Sequence, residues 1–161
     1  MPILDASFIV SAITEQFDEA YQGPSDEYSW FTNNEEDAGI LGTLAHLSAR
    51  EASKTITKGG TTVAAHAEHL RWSLALANGV FRGETPEPHW SESWTVKQVD
   101  TDEWTRLRDN LQREYKTLCQ TLGTNPNWVL DEDFFSATLA LVPHAAYHLG
   151  AIRQMLSVIK Q

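Results

Sequence analysis

Pro143-His144-Ala145-Ala146-Tyr147-His148-Leu149-Gly150 lies inside a long apolar run, Ala137 to Ile152. His144 and His148 are four residues apart, so on an α-helix both imidazoles project from one side, a single turn from each other. The run is apolar nearly all round, the pattern of a buried helix. Two imidazoles there must be hydrogen-bonded into the core or bound to a metal ion, because an unpaired buried polar group is costly. Two His on one rigid element form part of a ligand set for a divalent cation. The expectation is that other helices surround this pair and that one of them supplies a third ligand.

The segment around the pair reads as one long helix, opened by Asp131 or Asp133 and running to about Ile159. Pro143 cannot donate to the carbonyl of Leu139, so a kink is expected one residue before His144. Working back, Asp100 to Leu122 is the clearest amphipathic helix. Trp104, Leu107, Leu111, Tyr115, Leu118 and Leu122 recur at three and four, and Asp100 with Glu103 resembles a capping box. Thr62 to Phe81 is a further helix, with Val63, Ala67, Leu70, Leu74, Ala77 and Phe81 on one face and His66 and His69 beside it. Thr61 or Thr62 caps its start and Gly83 its end. Leu4 to Gln22 is the first helix, with Leu4, Phe8, Ile13, Phe17 and Ala20 on its stripe and Ile9 and Tyr21 flanking it. Glu35 to Ser53 has a weaker pattern, read as one or two short helices, with His46 as a surface or capping imidazole. No stretch alternates like a strand. The expected class is therefore all-α, a four-helix bundle in a single domain spanning 1–161, with long connections and short extra helices.

Composition narrows the function. The 161 residues carry a formal charge of −10, which disfavours nucleic acid and anionic membranes as partners. No apolar run reaches membrane-span length, and no signal peptide is recognisable. Cys119 is the lone cysteine; it cannot form an intrachain disulfide, and a cytoplasmic setting fits. It also has no activating cation near it in the sequence, so an inert thiol is expected. Lys58-Gly59-Gly60-Thr61-Thr62 lacks the order of a phosphate loop and reads as a turn. Glu84 to Val99 is a long connection holding Trp90 and Trp94, candidates for the wall of a pocket.

Several chemistries are absent from the motifs. No Glu follows His144 directly, so the metalloprotease helix fails, and no Glu stands three residues before a His, so the di-iron bundle pattern fails. No Gly-x-Ser-x-Gly elbow or Gly-x-Gly-x-x-Gly loop is present. What survives is the His144–His148 pair with a third His from the Thr62–Phe81 helix. On a helical wheel His66 lies nearer the middle of the buried face and His69 nearer its edge, so spacing alone leaves both open. Three neutral imidazoles and one open position describe a catalytic divalent site.

Two motifs carry a family resemblance: Thr62-Val-Ala-Ala-His66-Ala-Glu-His69-Leu70, and Pro143-His144-x-x-x-His148-Leu-Gly-Ala-Ile-Arg-Gln154. Together they resemble the DinB/YfiT-like superfamily, over about Leu4 to Met155. The Leu-Gly-Ala-Ile-Arg-Gln form departs slightly from the commoner Gly-Gln-Ile, without touching a ligand. The resemblance implies a helical bundle with a long crossover and a divalent ion, zinc or nickel, held by three His. By the motif, His69 matches the first ligand and His144 and His148 the others. His66 then orients a ligand or packs beside it. Apart from the resemblance, Trp90, Trp94 or Tyr147 is a candidate for shaping the pocket.

The function implied is a divalent-metal-dependent enzyme. One form is a transferase that activates a low-molecular-weight thiol such as mycothiol or bacillithiol; another is a metal-assisted hydrolase. A non-catalytic helical protein, binding a small ligand or serving in stress with a structural metal, is the alternative from another class. The apolar excess on the last helix suggests a homodimer.

Overall fold

The computed structural model describes residues 5–25 and 28–161. Six α-helices occur among them: α1 (Ala6–Gln22), α2 (Ile40–Ala45), α3 (Ala49–Ala52), α4 (Val63–Phe81), α5 (Thr101–Thr124) and α6 (Glu132–Ile159). Short 3-10 turns sit at Glu92–Trp94 and Pro126–Leu130. The only extended pairing among the described residues is an isolated bridge between Thr55 and Thr62. The described residues are thus all-helical in class, as the periodicities predict. Leu4, placed on the first stripe by sequence, lies outside the described residues.

Helix boundaries follow side chains that satisfy free N–H groups. Asp5 accepts from Ser7 at α1, Thr62 from Ala65 at α4, and Asp131 from Phe134 at α6. Asp100 and Glu103 form a reciprocal capping box at α5, as the sequence predicts, and Ser48 and Glu51 form a second one at α3. Each such cap is worth about 1 kcal/mol. Thr62, not Thr61, takes the cap of α4, and Asp131, not Asp133, that of α6. Gly83 adopts φ +83° just past α4, the conformation that ends a helix at little cost to glycine.

The long helices pack chiefly in the cyclic order α1–α5–α4–α6–α1, with α4 on α5 the most extensive contact. Phe17, Leu70, Leu74, Leu111, Leu118 and Ile152 are fully buried between them. The short helices close the 23–62 crossover: Trp104 Nε1 on α5 donates to the Leu47 carbonyl at 2.8 Å, and Arg153 on α6 donates to the Ala38 carbonyl.

Two packing expectations are corrected. Phe8 is 63% exposed, whereas Ile9 and Val10 pack on the core and Tyr21 is buried. The core stripe of α1 passes through Val10, Ile13, Phe17 and Ala20–Tyr21; Phe8 stands about 200° round the helix from Val10. The run Ala137 to Ile152 is not buried all round. Leu139, Ala140, Pro143, Tyr147 and Gly150 are exposed, so α6 keeps one apolar face in solvent because its neighbours cover only the other side. Pro143 lies inside α6, so the bend expected there does not end the helix.

Candidate metal centre

The second crossover, 84–100, is pinned at its far end. Thr62 Oγ1 donates to the Lys97 carbonyl at 3.0 Å while capping α4, and the Val99 amide donates to Ser53 Oγ at 3.0 Å. This folds the Glu92–Trp94 turn down onto α4, over His66 and His69. His148, one turn beyond His144 on α6, faces the same point from the opposite side.

Three imidazoles meet there. His69 Nε2 and His144 Nε2 are 3.0 Å apart, and His148 Nε2 and His144 Nε2 are 3.1 Å apart. One ligand nitrogen from each of His69, His144 and His148 lies within 4.8 Å of the others, close enough to hold one metal ion. A tetrahedral ion with N–metal distances of 2.0–2.1 Å has nitrogens about 3.3 Å apart, close to these separations.

The opposite ring nitrogens of two ligands are also engaged. His69 Nδ1 is 2.7 Å from Ser93 Oγ, and Ser93 Oγ donates its proton to the Trp90 carbonyl at 2.7 Å. A hydroxyl has one proton to give. Ser93 must therefore accept from His69, which puts the proton of that ring on Nδ1 and leaves a lone pair at Nε2. His148 Nδ1 is 2.8 Å from His66 Nδ1, so His66 supports the back of a second ligand. His66, His69 and His148 are buried and His144 half-buried.

The environment favours neutral rings. Burial, then His144 and His66, push His69 down to about 4; burial, then the neighbouring imidazoles, push His148 down to about 3. Burial also lowers His66 and His144. Neutral imidazole is the form that ligates a cation.

Aromatic rings surround the cluster. Trp94 stacks on His69 with centroids 4.3 Å apart and meets His66 edge-on at 5.3 Å. Trp90 is half exposed, 6.0 Å from His69. Tyr147 meets His148 edge-on at 5.1 Å but is 70% exposed, so it lies at the outer margin. His46 stands apart, at the end of α2, against Asp37 at 2.5 Å. The Cys119 thiol donates to Asp18 and is pushed up to about 12, by burial first and then by Asp18, so it is no nucleophile at neutral pH.

Every residue singled out for the site from the sequence except His46 and Cys119, both read as bystanders, is at or beside the cluster. Ser93 was the omission: a serine between two tryptophans in a connection carries no spacing signal. No helix of the described residues is long and apolar enough to cross a membrane. Comparison with protein-family models, with curated proteins and with solved structures finds no match.

Proposed function

We propose that the chain is a divalent-metal-dependent enzyme of DinB/YfiT-like type, its long helices forming the corresponding four-helix bundle. The observation that carries this reading is the Nε2 convergence of His69, His144 and His148, with His69 Nδ1 and His148 Nδ1 held from behind by Ser93 and His66. An all-nitrogen donor set of neutral imidazoles fits zinc or nickel. Three protein ligands leave a position for an exogenous group, as in catalytic sites. The chemistry a divalent ion supplies there is Lewis acidity, which turns a thiol or a water into a nucleophile near neutral pH. The protein's own residues fix the ring orientations, keep the imidazoles unprotonated and, through Trp94, shield one side of the cluster from water. Thiol transfer is the first form of the proposal and hydrolysis the second. A thiol that changes the visible spectrum of the cobalt-loaded protein supports the first; ester or amide hydrolysis without such a change supports the second.

The deciding experiment is metal analysis of untagged protein beside His144→Ala. The expected result is near-stoichiometric divalent metal in the first and little in the second. Equal content in both removes the proposal. The exposed strip Leu139, Pro143 and Tyr147 on α6 supports the dimer expectation. Light scattering should then give twice the mass of one chain, and a monomer would refute it.

A further inference from the structure

A cleft of about 530 Å³ runs between α4 and α6 and reaches His144. Its walls are Leu76, Val80, Phe81, Phe134 and Leu141, with His144 lining one end. The edge-on contact of Phe81 with Phe134, centroids 5.4 Å apart, marks the other. Along α6 the lining extends from Asp133 to His144, about 16 Å of helix. The volume is that of a small-molecule site, and the lining is almost wholly apolar. Two other clefts of similar size are lined by Glu15, Asp18 and Glu19, or by Glu68, Glu103 and Arg106, and neither reaches the cluster.

We propose that this cleft binds the body of the substrate: a neutral alkyl or aryl group whose one metal-seeking head reaches His144. The proposal rests on the metal reading above and names the class of molecule that site accepts. Three observations carry it. An apolar trough open to water is unfavourable unless something covers it, and burying each methylene there yields about 0.8 kcal/mol. His144 is the one ligand of the three that lines the cleft, so an occupant lying along α6 has its end beside the cluster. Asp133 lines the far end, and the formal charge is −10; both disfavour an anionic group on the tail. The occupant is therefore asymmetric, with a polar head at the imidazoles and a hydrocarbon tail toward Phe81.

The test has an arm that needs no metal. Metal-free protein is titrated with N-phenyl-1-naphthylamine, a neutral apolar fluorophore. One equivalent should bind with a gain in emission. Ala137→Trp narrows the cleft from an exposed wall position, and Val80→Asp puts a charge in it; each should weaken binding at least tenfold with the circular dichroism of the wild type. Unchanged affinity in both folded variants overturns the proposal. In the second arm, zinc-loaded protein is challenged with acetohydroxamate and octanohydroxamate, which share a head and differ in tail. The longer compound should displace the fluorophore at a concentration at least tenfold lower, and equal potency overturns the placement of head and tail. Failure to take up zinc sinks the metal reading and the head-group half of the proposal, while the first arm still decides whether the cleft takes apolar molecules.

Discussion

Ser93 Oγ lies 2.7 Å from His69 Nδ1 and spends its single proton on the Trp90 carbonyl. One buried hydroxyl thereby sets the tautomer of a ring on another element. Partners that hold the non-ligating nitrogen of a metal-binding His typically contribute 10–100-fold to affinity. Ser93→Ala should lower zinc affinity by about that factor, read by competition with a chromophoric chelator. Its helical content should be unchanged. Wild-type affinity in Ser93→Ala would show that the hydroxyl does not position the ligand.

His66 plays the same part behind His148, at 2.8 Å between Nδ1 atoms. For His148 to offer Nε2 to a cation, its proton must sit on Nδ1 and His66 must accept it. His66→Phe keeps a ring against Trp94 but removes the acceptor, so zinc affinity should fall about tenfold or more. His66→Gln can restore an acceptor and should recover part of the loss. Equal affinities in both variants would reduce His66 to packing.

The helices and most of the site were legible in the sequence because both depend on local spacing. The stripe from Trp104 to Leu122 has a 3.6-residue period, and all six of its named residues are buried in α5. His144 and His148 come together through one helical turn. The choice between His66 and His69 was not legible from the wheel, because both are buried, at 5% and 6% exposure. What separates them is the atom each ring meets: His69 turns Nε2 to His144 Nε2, while His66 meets His148 at Nδ1, behind its ligand nitrogen. That depends on the crossing of α4 with α6, which no local pattern encodes. The solvent face of α6 was misread for the related reason that apolar composition does not say how many neighbours a helix has.

Glu19 is another long-range arrangement invisible in the sequence. It is 3% exposed, and its carboxylate accepts from Ser29 Oγ, from Thr32 Oγ1 and from the amides of Trp30, Phe31 and Thr32. Burial pushes its pKa up, but the hydrogen bonds from Phe31, Ser29 and Thr32 outweigh that and bring it down from 4.5 to about 2. A carboxylate lowered on folding stabilises the protein above its unfolded pKa, and the benefit fades as pH falls toward the folded value. The shift corresponds to about 3 kcal/mol at neutral pH. Glu19→Gln presents an amide donor where Trp30 N–H needs an acceptor, and should lose about 2–3 kcal/mol at pH 7. The difference from wild type should shrink between about pH 4.5 and 2, in denaturant titrations across that range. A pH-independent difference would mean that the charge is not what holds the 29–32 loop.

Gly39 and Gly150 predict opposite effects for one substitution. A Cβ on Gly39 would lie 2.5 Å from the carbonyl carbons of Tyr21 and Gln22 and from the amide nitrogen of Gly23. All three are backbone atoms, and moving them would part the end of α1 from the start of α2. Gly39→Ala should therefore cost about 1–3 kcal/mol or more, as overpacking does. Gly150 is an exposed position within α6, with nothing within 4 Å of its Cβ site. Gly150→Ala should stabilise by about 0.5–1 kcal/mol, because alanine loses less backbone entropy in a helix. Near 160 residues that is a rise in Tm of about 1–4 °C, and metal content should not change, since the new methyl points away from His148 into solvent. A fall in Tm for Gly150→Ala would indicate that the α6 face is covered in solution, most simply by a second copy of the chain packed close against Gly150.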